Sequence, residues 1–246
     1  MSRFIILLVF VFISGIPVLA HGDPHGTTPI ISEEDATIPQ QFDIVYAQVE
    51  RFGSTLIFHQ IVVGEADASI PDPIGDLAGA SVYSFVWLTS LDSSTVGFEH
   101  EQGILALVVT SHPDFDDTPL WDEDEDGDLT NDGANWHSHW VVLVEDEACP
   151  AGLKVKDIPE GEDPAVPSTW PELPILIDSP NFELELTGHE VVVQVPHSAI
   201  NYSESFNFDG VTAGLQVNES IHDPLLCVTN VDDIASGDLS LSGVSN

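Results

Sequence analysis

The sequence predicts an all-β fold, a single-domain antiparallel β-sandwich or barrel with long acidic loops. Three observations point there. β-Branched and aromatic residues recur in short runs. Gly, Pro, Asn and Asp punctuate those runs at short intervals. No long stretch carries the 3.6-residue apolar period of an amphipathic helix.

Taken in order, residues 1–20 read as a secretory signal peptide. Arg3 is the charged start, Phe4–Ile13 the apolar run and Val18-Leu19-Ala20 the cleavage site. Residues 21–41 are polar and rich in Pro and Gly, and read as an extended N-terminal arm. Residues 42–246 form the predicted β domain. Phe42–Gly64 contains two apolar runs around Arg51-Phe52-Gly53-Ser54, the pattern of a hairpin. Ser81–Leu91 and Gly103–Thr110 are strand-like, with a Pro- and Asp-bearing loop before them. Ser111–Asn135 is a long acidic loop, a length that usually carries function. Trp136–Val144 is the next strand. The proline-rich Asp157–Pro174 is an excursion. Ile175–Ile177, Phe182–Leu186, Glu190–Val195, Gly214–Val217, Leu225–Thr229 and Leu239–Leu241 complete the β-rich stretches.

The charge balance restricts partners. With 42 acidic and 4 basic residues the net charge is −38. Nucleic acid and anionic membrane surfaces are thereby excluded as expected partners, since both demand a basic footprint. Cationic clamps for phosphate or carboxylate substrates are excluded likewise, because only Arg51, Lys154 and Lys156 follow the signal segment. Self-repulsion of this size calls for a salty or calcium-containing exterior, secreted or periplasmic. The cysteine pair Cys149 and Cys227 fits one disulfide in such a compartment. Asn201-Tyr202-Ser203 and Asn218-Glu219-Ser220 match the glycosylation acceptor pattern. Nucleophile elbows, phosphate loops and dinucleotide fingerprints are missing.

The chemistry concentrates in Trp121–Leu143. Asp122, Asp124 and Asp126 alternate and Gly127 follows, so three carboxylates can converge on a hard cation while the chain turns. Asp128, Thr130 or Asp132 would complete the shell. This stretch resembles the EF-hand-like calcium loops of secreted β proteins, although its twelfth position is Gly133 and not the closing Glu. A structural Ca2+ is the expectation.

In the strand that follows, side chains alternate between faces. His137, His139, Val141 and Leu143 share one face, and Trp136, Ser138, Trp140, Val142 and Val144 share the other. Two imidazoles on an otherwise apolar face suit a Zn2+ or Cu2+ ion inside a barrel or between sheets. The His-Ser-His triplet is similar to the His-x-His strand of cupins and of α-type carbonic anhydrases. The resemblance covers three residues, and Glu145 lies too far along for the cupin spacing, so no family residues are carried over.

A third ligand is offered several times. His59 lies in Leu56–Val63 on the face of Ile57, Ile61 and Val63. His100 lies between Glu99 and Glu101, and His112 precedes Pro113 at the head of the acidic loop. His189, His197 and His222 sit at turns and read as surface residues. Cleavage after Ala20 would expose His21, whose amine and ring could chelate copper. That start resembles the histidine brace of lytic polysaccharide monooxygenases and of periplasmic copper carriers.

The sequence thus predicts an exported protein that binds metal ions, with a His-x-His transition-metal site beside a calcium-like loop. Two alternatives remain: a non-catalytic, calcium-stabilised binding or surface module, and a copper carrier built on His21.

Overall fold

A computed structural model describes residues 28–71, 79–113, 120–122, 127, 135–218 and 224–236. Its strands are β1 (Ile30–Ile31), β2 (Ile44–Phe52), β3 (Thr55–Val62), β4 (Ser81–Thr89), β5 (Ile104–Ser111) and β6 (His137–Glu145), then β7 (Leu153–Val155), β8 (Ile177–Asp178), β9 (Glu183–Thr187), β10 (Glu190–Pro196), β11 (Phe208–Val217) and β12 (Leu226–Ala235). Every pairing is antiparallel.

One layer is a five-stranded sheet in the order β1-β2-β3-β10-β9. The other runs β5-β4-β11-β12-β7-β6-β8, and an additional β5–β6 ladder closes six of its strands into a barrel. Full closure removes the exposed edges that an open sheet of this length would present.

The closure is uneven. The β5–β6 ladder runs from Ile104↔Leu143 to Thr110↔His137. The other edge of β6 is shared by β7, at Leu143↔Val155 to Glu145↔Leu153, and by β8, at Trp140↔Asp178 and Val141↔Ile177. Among the described residues a single strand pair, Cys227↔Lys154, joins β7 to β12. At this thin seam the Cys149–Cys227 disulfide ties the turn after β6 to β12. Lys154 adds ion pairs to Asp146 at 2.9 Å and Asp157 at 2.7 Å.

Strand alternation produces two separate cores. Between the layers, Phe58 meets Trp87 and Trp140 edge-on, with ring centroids 5.8 and 6.1 Å apart. Leu105, Leu107, Val142 and Val193 fill the same layer. The opposite faces of the barrel strands form the second core, built from Val86, Val108, Val141, Leu143, Val211 and Ala213 among others. The layers pack tightly where a Cβ on Gly210 of β11 would lie 2.8 Å from the Ala47 Cβ of β2, a contact that leaves no room for a larger residue. Buried Gln60 bridges the layers by donating to the Val86 carbonyl at 2.7 Å.

The hairpin at Gly53 matches expectation, with φ +64° in the turn. Three elements differ from the sequence reading. The N-terminal arm is tied down, since Ile30 and Ile31 pair with Ala47 and Tyr46. β11 begins at Phe208, well before Gly214, because Asp209 and Gly210 disguise a strand that is buried on both faces. β7 lies inside a lysine-bearing stretch with no apolar run to mark it. The Leu239–Leu241 stretch lies outside the described residues.

Candidate metal centre

The expected face assignment of the histidine strand holds. Trp140 and Val142 point between the layers, while Val141 and Leu143 point into the barrel, and parity takes His137 and His139 with them. Ser138, on the other face, accepts a hydrogen bond from the Phe182 N–H at 3.3 Å. His112 follows directly on β5. It has the parity of Val108 and Thr110, which also face inward. Because Thr110 stands opposite His137, His112 sits diagonally across from it, one pleat on.

The three imidazoles therefore converge. His112, His137 and His139 are all buried, and one ligating atom from each lies within 4.8 Å of the others. The His112 and His137 rings meet edge-on with centroids 5.0 Å apart, and those of His137 and His139 likewise at 4.7 Å.

Hydrogen bonds assign the ring nitrogens. His112 Nδ1 lies 3.1 Å from the Pro113 carbonyl, and His137 Nδ1 lies 2.8 Å from the Asn135 carbonyl. A carbonyl only accepts, so both Nδ1 atoms carry hydrogen and donate. In neutral rings both Nε2 atoms then present lone pairs, and these Nε2 atoms are 3.2 Å apart. Two lone pairs at that distance repel unless a proton or a metal ion lies between them. Two imidazoles on one tetrahedral Zn2+, with Zn–N near 2.0–2.1 Å, would have nitrogens about 3.3 Å apart. The spacing fits that edge.

The third ring is oriented by a neighbour. His139 Nδ1 lies 3.0 Å from Ser179 Oγ, so ligation falls to its Nε2. Such outer partners fix ring orientation and tautomer at metal sites. Ser179 is itself anchored: its carbonyl accepts from Trp121 Nε1 at 2.7 Å. Asp178, the preceding residue, is buried, and burial pushes its carboxyl up to about 6, against the hydrogen bond donated by Thr169 Oγ1 at 2.6 Å.

Two other predicted ligands, His59 and His100, are not brought here. His59 is on the outer face of the five-stranded sheet, where its ring packs on Tyr46 and its Nε2 lies 3.5 Å from Glu190 Oε2. The inward face of β3 is that of Leu56, Phe58, Gln60 and Val62, which corrects the expectation that Ile57 and Ile61 mark the core side. His59 keeps a lowered basicity, from burial first, against the raising effects of Glu190 and Glu50. His100 is exposed and pairs with Asp92 Oδ1 at 2.9 Å, which holds its proton more firmly. His197 is buried, contrary to its reading as a surface residue, with Nε2 2.9 Å from the Ser203 carbonyl. His189 is exposed, as expected.

Of the acidic loop, only Asp122 and Gly127 fall among the described residues that were expected to shape a calcium site. The Gly127 N–H donates to Asp122 Oδ2 at 2.9 Å. Asp124, Asp126, Asp128 and Asp132 lie outside the described residues, as does His21.

The barrel also encloses a cavity of about 330 Å³, with His112 and His139 in its wall. Sequence reasoning had no access to this cavity, because it depends on closure of the barrel. The buried Thr110 hydroxyl, also in that wall, makes no hydrogen bond among the described residues. Comparison with protein-family models, with curated proteins and with solved structures finds no match for the chain.

Proposed function

We propose that the protein is an exported metal-binding protein that holds one transition-metal ion, Zn2+ or Cu2+, through His112, His137 and His139 inside the barrel. The 3.2 Å approach of the His112 and His137 Nε2 atoms, with both Nδ1 atoms committed to carbonyls, carries this reading. Imidazole-only donors favour Zn2+ or Cu2+ over Mg2+ or Ca2+. Three protein ligands are also the usual number at sites that keep a coordination position for water or substrate. Export is supported by the leader-like residues 1–20 and by the disulfide, a bond typical of oxidising compartments. A Ca2+ ion in Asp122–Asp132 rests on the sequence pattern, and it would neutralise part of an extreme negative charge.

The test is metal analysis of the full chain purified without an affinity tag. One equivalent of Zn or Cu, lost on His139→Ala, is the expected result. Calcium alone, or no metal at all, would leave a proton shared between His112 and His137 as the explanation of their approach and would end the transition-metal reading.

A further inference from the structure

A six-stranded barrel is narrow, and its interior is ordinarily filled by side chains. Here the inward residues are mainly valines and alanines, such as Val86, Val108, Val211 and Ala213, and they leave about 330 Å³ open. A water's share of liquid volume is about 30 Å³, so the space equals roughly ten waters and is no packing defect. Its wall offers water few partners. Ser84 Oγ already donates to the Ala213 carbonyl at 2.8 Å, and Ser236 donates to Asp209 at 3.4 Å. An apolar cavity of this kind is a site for an apolar guest.

One polar group of the wall, outside the histidine cluster, lacks a partner among the described residues. The Thr110 hydroxyl is buried, makes no hydrogen bond among the described residues and stands opposite His137, beside the histidine cluster. Leaving such a hydroxyl unpaired is costly, and a ligand oxygen at this end would relieve that cost. Among the described residues neither Lys nor Arg lines the cavity, whereas Asp209 does, in a protein of net charge −38. Anionic guests are therefore disfavoured. At the thin seam the half-buried leucines Leu153, Leu173, Leu225 and Leu226 border the cavity beside β7 and β12.

We propose that the barrel cavity binds a small uncharged aliphatic molecule with its terminal oxygen, an alcohol or aldehyde, placed at Thr110 beside the histidine cluster. This rests on the metal reading in one respect: the oxygen would then lie next to the bound ion. For scale, a cavity of about 150 Å³ accepts benzene, so this one suits a guest of roughly a dozen non-hydrogen atoms.

The experiment is calorimetric titration of 1-octanol and of octanoate into the full chain, zinc-loaded and EDTA-treated, as wild type and as Thr110→Val. Zinc content is measured on the same samples. The expected result is one 1-octanol per chain, bound about tenfold more weakly by Thr110→Val, a near-isosteric change that removes only the hydroxyl. Octanoate should bind more weakly than 1-octanol. No heat from 1-octanol with zinc-loaded protein would overturn the cavity proposal and leave the metal reading intact. A chain that takes up no zinc yet binds 1-octanol with the Thr110 dependence would support the cavity proposal and sink the metal reading. Equal affinity of wild type and Thr110→Val would refute the placement of the oxygen, and tight octanoate binding would refute the uncharged class. Val211→Phe, which fills the cavity, should abolish binding in protein whose circular dichroism matches wild type.

Discussion

The two cores of this protein are made by opposite faces of the same strands, yet they are built differently. In β6, Trp140 and Val142 enter the layer between the sheets, where Phe58 and Trp87 pack against them. One residue away, His137, His139, Val141 and Leu143 enter the barrel, where small aliphatic side chains leave a cavity. Large interlocking aromatics stabilise the first core, and the second is left room and polar groups. The comparison teaches that the histidine cluster and the cavity belong to one strand face, supported by the packing of the other.

The sharpest way to break this comparison is to truncate a large side chain in the layer between the sheets. Phe58→Ala should cost about 3–5 kcal/mol in urea unfolding, the usual range for a buried phenylalanine. A cost under about 1 kcal/mol would mean that the aromatic layer is not what stabilises the fold.

The second prediction concerns Asp178 of β8, paired with Trp140 of β6. Burial raises its carboxyl to about 6 from an ordinary value near 3.8. A raised folded-state pKa contributes stability that is full below pH 4 and is lost as pH rises through 6. Asp178→Asn does not titrate, so the variant should gain on wild type by up to about 3 kcal/mol between pH 4 and pH 7. The measurement is chemical denaturation of EDTA-treated protein across that window, and parallel stability curves for the two proteins would refute the assignment.

The third acts on the site without touching a ligand. Ser179→Ala removes the group that orients His139 and should weaken zinc affinity roughly tenfold, read by chelator competition. Unchanged affinity would mean that the ring is held in place by packing alone. The smallest effect is expected in the barrel interior. Val108→Ala enlarges a space that already exists, and should cost about 1 kcal/mol or less, well below Phe58→Ala. Equal costs would erase the distinction between the two cores.

How legible these features were follows from their physical range. The His137/His139 face could be read from alternation alone, because a period of two is a local property of a strand. The Cys149–Cys227 link could be read from an even cysteine count in an exported-looking chain. His112 could be nominated but not singled out from His59 and His100. Its place is set by the register Thr110↔His137 between strands separated by a long acidic loop, which no local spacing reveals. His59 was misleading for a related reason. Both faces of Leu56–Val63 are apolar, so parity could not tell the inward face from the outward one. The choice between sandwich and barrel was open in sequence because it turns on a single ladder, and the structure combines the two: a barrel with a second sheet stacked on it.

The most direct test of the histidine centre is X-ray absorption spectroscopy at the metal edge of the full chain loaded with one equivalent of zinc. The account predicts three imidazole nitrogens at about 2.0–2.1 Å, reduced in number by His112→Ala. A shell of oxygens only, unaffected by His112→Ala, would contradict it and place the ion in the acidic loop instead.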